Sequence, residues 1–145
     1  MDPRPGISVV IPAYNEVENL APLFSELRAA LEPTGRTWEL VMIDDGSSDG
    51  TAQAILAESQ RDPRVVALIL ERNAGQSAAL AAGLARAQGE IIVTLDSDLQ
   101  NDPADLPRLL KALETADVVS GVRQKRQDSW VRLVSSRIEI GRAHV

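Results

Sequence analysis

The stretch LDSDLQNDP, residues 95–103, sets three carboxylates, Asp96, Asp98 and Asp102, within seven positions directly behind the apolar residues Ile91, Ile92 and Val93. Like charges gathered at the end of a buried strand repel one another and lose hydration, so the pattern predicts a cation there. On an extended backbone Asp96 and Asp98 lie two apart and project to the same side, and Gln100 adds a neutral oxygen to that side. A hard oxygen site with few protein ligands, completed by water and phosphate oxygens, is how Mg²⁺ or Mn²⁺ meets a nucleoside diphosphate. The plainer reading of the same residues is a strand end followed by helix-capping aspartates.

Three further polar segments carry residue types suited to a nucleotide. In PAYNE (residues 12–16), Pro12 is expected to end strand pairing, and Tyr14 offers a flat face and a hydroxyl to a base or ribose. Asn15 and Glu16 either join Tyr14 at the ligand or serve as helix cap and first-turn acid. In DDGSSDGT (44–51), Asp44 or Asp45 can accept from a base N–H, and Gly46 permits a tight turn. One aspartate of that pair is expected to be functional and the other to brace the loop, while Ser48 and Asp49 cap the next helix. In RNAGQSAA (72–79), Gly75 lets backbone approach a ligand, and the helix start behind it favours an anion. Arg72 is either a ligand contact or a structural partner for the acidic loops. Farther on, GVRQKRQD (121–128) sets out Arg123 and Arg126, which can fork onto phosphate oxygens, and Arg132 and Arg137 continue the basic stretch on an expected helix.

Positioning these segments requires strands that end at them. Four apolar, β-branched runs do so: residues 7–11, 40–43, 65–70 and 91–95, with 118–120 as a weaker fifth. Runs of this kind suit strands covered on both faces of a parallel sheet. Between them lie helical stripes. Leu20, Leu23, Phe24, Leu27 and Leu31 form one; Ala52, Ile55 and Leu56 begin another; residues 78–87 form a third, closed by Gly89. A fourth helix starts near Pro103, capped by Asn101 or Asp102, with Leu106, Leu109, Leu110 and Leu113 turned inward. Strand and helix alternate throughout, which predicts a doubly wound α/β domain with a mostly parallel sheet. In such a fold the polar segments converge at the carboxyl ends of the strands.

Bulk properties narrow the function classes. A chain of 145 residues forms one domain, and with aromatics at 3% its core must be aliphatic. With no cysteine, disulfides and thiolate metal sites are excluded, which fits a reducing compartment. The start MDPRPGISVV lacks a signal-peptide pattern, and no apolar run reaches the ~20 residues of a membrane helix. Net charge is −6, divided as −10 over residues 1–117 and +4 over residues 118–145. Overall acidity argues against general nucleic-acid binding, whereas a basic end segment can meet phosphates. The lone His144 is uninformative.

Taken together and in order, VVIPAYNE, IDDGSSDGT, RNAGQSAAL and LDSDLQNDP resemble glycosyltransferase family 2, of the GT-A fold with its Rossmann-like nucleotide-binding half. The DSDLQNDP variant and the GVRxxRxD segment resemble the polyprenyl-phosphate branch, which includes dolichol-phosphate mannose synthases and undecaprenyl-phosphate sugar transferases. That resemblance implies an inverting, metal-dependent transferase using Mg²⁺ or Mn²⁺. Its donor is a UDP- or GDP-sugar and its acceptor a polyprenyl phosphate, at the cytoplasmic face of a membrane. It also implies that Pro12, Tyr14, Glu16, Ile43 and Asp45 line the nucleoside pocket, joined on the residue reading by Asn15 and Gly75. Asp96, Ser97, Asp98 and Gln100 would hold diphosphate and metal, with Asp98 acting through the metal. Arg123, Arg126 and Arg137 would meet phosphates of donor or acceptor. No general base is assigned, because a phosphate monoester is already ionised near neutral pH. Residues 1–137 carry the likeness as a partial domain, and 138–145 (IEIGRAHV) form an atypical tail that departs from the family. The rival readings are a family transferase acting on a saccharide hydroxyl and a nucleotide-sugar-binding fragment without turnover. A nucleotidyltransferase is disfavoured, since no Gly-rich, Lys-bearing phosphate loop follows the first strand.

Overall fold

The computed structural model describes residues 4–97 and 103–114, together with the backbone of two strands at 118–122 and 130–135. Strand and helix alternate as β1 (Ile7–Ala13), α1 (Val17–Leu31), β2 (Trp38–Asp44), α2 (Thr51–Arg61), β3 (Val65–Ile69), α3 (Gln76–Arg86), β4 (Ile91–Thr94), α4 (Leu106–Ala112), β5 (Val118–Val122) and β6 (Trp130–Ser135). The sheet runs in the order β3-β2-β1-β4-β6-β5. The first four strands are parallel, and β6 pairs antiparallel with both β4 and β5.

Every residue of β1 and β2 is buried, because helices cover both faces of the sheet. On one face Leu20, Leu23, Phe24, Leu27 and Leu31 of α1 pack with Ile55 of α2 and Leu106 and Leu110 of α4 over Val9, Ile11, Leu40 and Met42. Each fully buried leucine contributes roughly 1.5–3 kcal/mol relative to an exposed one. On the other face α3 lies over Val10, Val41, Ile43 and Ile92 through Ala79 and Gly83. A Cβ at Gly83 would stand 2.4 Å from Ile43 Cδ1 and 2.5 Å from Val10 Cγ1, so only glycine lets this helix sit so low. The far end of α3 is pinned as well. The Gln88 amide donates to Glu39 Oε2 at 2.8 Å, and the Gly89 amide donates to Ser8 Oγ at 2.7 Å.

Three expectations are corrected. Pro12 does not end β1, which continues to Ala13 and stays in register with β2 as far as Ala13↔Asp44. The β4 ladder stops at Val10, whose carbonyl accepts from the Leu95 amide. Even-numbered residues of β1 bond toward β4, so the N–H that Pro12 lacks faces the side where no partner follows. Leu56 is 43% exposed and is not part of the α2 stripe; Ile55 alone of the pair enters the core. Arg132 lies on a strand, not a helix: it is paired with Thr94 of β4 and Ser120 of β5. Of the expected fourth-helix cap, Asn101 and Asp102 lie outside the described residues, and a short 3₁₀ turn, Pro103–Asp105, leads into α4.

Candidate active site

From β1 the chain proceeds to β2 and β3 in one direction, then crosses back through α3 and places β4 on the opposite flank of β1. Crevices outside the carboxyl ends of strands, where the order reverses, are where open α/β sheets bind ligands. Four polar loops emerge at that edge, at residues 14–16, 45–50, 70–75 and 95–97. Hydrogen bonds tie them together in chain order.

The first loop is locked to the second. Asn15 sits at φ +52°, a conformation that asparagine tolerates better than most residues. Its amide donates to Ser47 Oγ at 2.8 Å, and its own Oδ1 accepts from the Ser48 amide at 2.9 Å. The Glu16 amide donates to Thr51 Oγ1, and the Val17 amide to Asp49 Oδ2. Asp49 also accepts from Thr51, whose side-chain hydroxyl holds the carboxyl below its usual range. Asp49 thus braces the starts of both α1 and α2, a wider role than the expected cap. Glu16 Oε2 accepts from Asn19 Nδ2 at 2.6 Å. Tyr14 is left 48% exposed at the mouth.

Asp45 joins the second loop to the third. Its carboxylate is 3% exposed and accepts from the Ala74 amide at 2.8 Å, the Gly75 amide at 3.2 Å and Asn73 Nδ2 at 3.2 Å. A carboxylate offers about four acceptor directions, so capacity for one more donor remains. The amides just ahead of α3, expected to favour a ligand anion, are therefore already spent on Asp45. Asp44 is buried too, with Oδ2 accepting from the Ser47 amide at 3.1 Å and Oδ1 without a hydrogen-bond partner among the described residues. Gly46 has φ +75°, and a Cβ there would stand 2.3 Å from the Asn73 amide nitrogen, so the second and third loops can touch only at a glycine. Gly75, at φ +100°, faces open space. Arg72 is exposed, and much of the acidic loop expected to partner it, with Asp98 and Asp102, lies outside the described residues.

The third loop meets the fourth through Gln76, whose Nε2 donates to Asp96 Oδ1 at 3.1 Å. Ser97 beside it is buried. Asp98, Gln100, Arg123, Arg126 and Arg137 lie outside the described residues. Pro12 and Ile43 are wholly buried below the loops, Ile43 in the layer beneath α3. The structure therefore brings Tyr14, Asn15, Glu16, Asp45, Gly75 and Asp96 to one edge. Sequence reading did not single out Ser47, Asn73 or Gln76, whose partners lie 20 to 32 positions away. The donor set suits a hard divalent cation: Asp96 offers carboxylate oxygen, the chain has no cysteine, and its one histidine is remote in sequence. Among the described residues no three His, Cys, Asp or Glu side chains gather into a metal cluster, so any ion would depend on oxygens from a ligand or from residues 98–100.

Comparison with known proteins agrees with this geometry. The sequence is 49% identical over 138 residues to the undecaprenyl-phosphate 4-deoxy-4-formamido-L-arabinose transferases of Salmonella paratyphi A and Salmonella dublin. The match takes in 94% of this chain and 42% of theirs, so the chain spans less than half the length of these relatives. In fold it resembles the mannosyltransferase PcManGT from Pyrobaculum calidifontis, solved with GDP-Man and Mn²⁺, with a TM-score of 0.76 and 22% identity over 93% of this chain and 46% of that one. It also resembles residues 1–349 of S. aureus TarS in complex with UDP, with a TM-score of 0.65 and 25% identity over 80% of this chain and 34% of that one. The α/β architecture is thus that of GT-A glycosyltransferases. Residues 8–143 match the family model, and the chain belongs to glycosyl transferase family 2.

Proposed function

We propose that this chain is the donor-binding part of an enzyme that moves a sugar from a UDP- or GDP-sugar to a polyprenyl phosphate, with inversion, at the cytoplasmic face of a membrane. The observation that carries the reading is the bonded series of four loops at the sheet's switch point, in a chain half identical to named undecaprenyl-phosphate sugar transferases. Tyr14 offers its exposed ring to the base or ribose, and Asp45 uses its spare acceptor direction for a base N–H. Arg72, exposed beside them, is available to the nucleotide. Glu16 and Gly75 form part of the wall of that pocket, and the buried Pro12 and Ile43 support it from below.

Asp96, with Asp98 and Gln100, would hold Mg²⁺ or Mn²⁺, and Ser97 stands between the two aspartates in sequence. When bound, the ion neutralises charge that builds on the departing diphosphate. Arg123, Arg126 and Arg137 hold phosphates of donor or acceptor by paired N–H donation. An ionised acceptor phosphate oxygen then attacks the anomeric carbon from the face opposite the leaving group, which inverts that centre and needs no strong base.

Titration calorimetry with UDP and GDP, with and without Mn²⁺, tests the donor half. One nucleotide should bind, and Mn²⁺ should strengthen it in a manner that Asp98→Asn abolishes. The acceptor half is tested with the full-length protein, which should transfer sugar to undecaprenyl phosphate. Transfer to a saccharide hydroxyl in its place would refute the polyprenyl reading, and metal-independent binding would refute the metal site.

A further inference from the structure

We propose that Gln76 is a positioning residue that sets the orientation of the Asp96 carboxylate for a divalent cation; this rests on the reading of Asp96 as a ligand to the donor's metal. Gln76 opens α3, and its Nε2 reaches twenty positions along the chain to Asp96 Oδ1 at 3.1 Å. The helix that carries it is held at three places. Asp45 fixes the backbone just before it through the Ala74 and Gly75 amides. Gly83 seats its middle directly on Val10 and Ile43. Glu39 and Ser8 hold the residues that follow it, through the Gln88 and Gly89 amides. A side chain projecting from so fixed a helix reports a defined point in space.

The chemistry of the donor matters as much as its position. An amide N–H restricts rotation of the carboxylate yet brings no positive charge. A lysine at the same place would compete with a cation for the same oxygens. Gln76 takes up one acceptor direction of Asp96 Oδ1 with a neutral donor. Partners that orient a ligating carboxylate in this way typically support metal affinity by 10–100-fold.

The test compares wild type with Gln76→Ala, Gln76→Met and Asp96→Asn. Mn²⁺ affinity is read by electron paramagnetic resonance in the presence of UDP or GDP, beside metal-free nucleotide affinity and melting temperature. The Met variant keeps side-chain length and removes the amide with its donor. Both Gln76 variants should weaken Mn²⁺ binding by about tenfold, with metal-free nucleotide binding and melting unchanged. A Met variant that holds Mn²⁺ like wild type would show that bulk, not the hydrogen bond, matters, and would overturn the proposal. Equal losses of metal-free and metal-dependent binding would overturn it as well, since a general loop brace acts on both. If Asp96→Asn weakens Mn²⁺ binding while neither Gln76 variant does, the positioning role alone fails. If Asp96→Asn also has no effect, the metal reading of Asp96 fails with it.

Discussion

Asp44 and Asp45 are neighbours in sequence, both almost without solvent exposure, yet they serve different loops: Asp44 accepts from Ser47, and Asp45 from Asn73, Ala74 and Gly75. The sequence reading assigned one member of the pair to a ligand and the other to the loop. In the fold both brace loops, and Asp45 retains acceptor capacity beyond its brace. Asp45→Ala should therefore weaken nucleotide binding by roughly 1–3 kcal/mol, the cost of a charged hydrogen bond left unmade. Hydrogen exchange at the Ala74 and Gly75 amides should rise in the same variant. Asn73→Ala, which removes one donor and keeps the carboxylate, separates the two roles. If calorimetry gives it the same loss as Asp45→Ala, Asp45 acts only through the loop. Residue types at strand ends were legible because each polar run directly follows an apolar one. The bonds that join the loops were not, because they connect positions at least 20 residues apart and depend on which strands lie side by side.

Among the elements, periodicity carried the most information. The α1 stripe at 20, 23, 24, 27 and 31 is buried as read, since a 15-residue helix on a sheet presents one continuous face. The α2 stripe was legible only at Ile55: one of the two apolar neighbours is buried and the other exposed, and the residues around them do not say which is which. Pro12 misled because a missing N–H breaks one ladder only, and the sequence does not tell which flank of β1 has a partner there. For β6, the sequence reading continues the basic stretch on a helix, whereas the pairing of residues 130–135 between β4 and β5 depends on distant strands. The packing of α3 gives an element-scale prediction. Gly83→Val would drive a branched side chain into Val10 and Ile43, so urea unfolding should show a loss of roughly 1–3 kcal/mol. Nucleotide affinity should fall with it, because the loop that leads into α3 carries Gly75.

At the scale of the whole molecule, a belt of charges far from the loops joins α1, α2 and the approach to β3. Arg28 bonds to Glu58 and Asp62, Arg61 to Glu58, and Arg64 to Asp62 and Glu32, with the Arg64 guanidinium 3.9 Å above the Trp38 ring centre. The hydrogen bonds from Arg64, with further help from Arg28, hold the Asp62 carboxyl down at about 2, against burial that pushes it up. A carboxyl lowered on folding adds stability above its unfolded value near 3.8 and loses it as pH falls toward 2. Asp62→Asn should thus lower stability at pH 7 by on the order of 1–2 kcal/mol. The gap from wild type should narrow between pH 4 and pH 2, as read by urea midpoints, while nucleotide affinity at pH 7 stays the same. One feature of the sheet also bears on how the molecule is made. Because β6 lies between β4 and β5, residues 118–122 leave the ribosome before the strand that connects them to the sheet. Until residues 130–135 follow, β4 is an open edge beside a finished parallel sheet, and β5 has nothing to join. A nascent chain stalled in that interval would expose a hydrogen-bonding edge to its neighbours, so the time between the emergence of these two strands governs how long each new copy stays prone to aggregate.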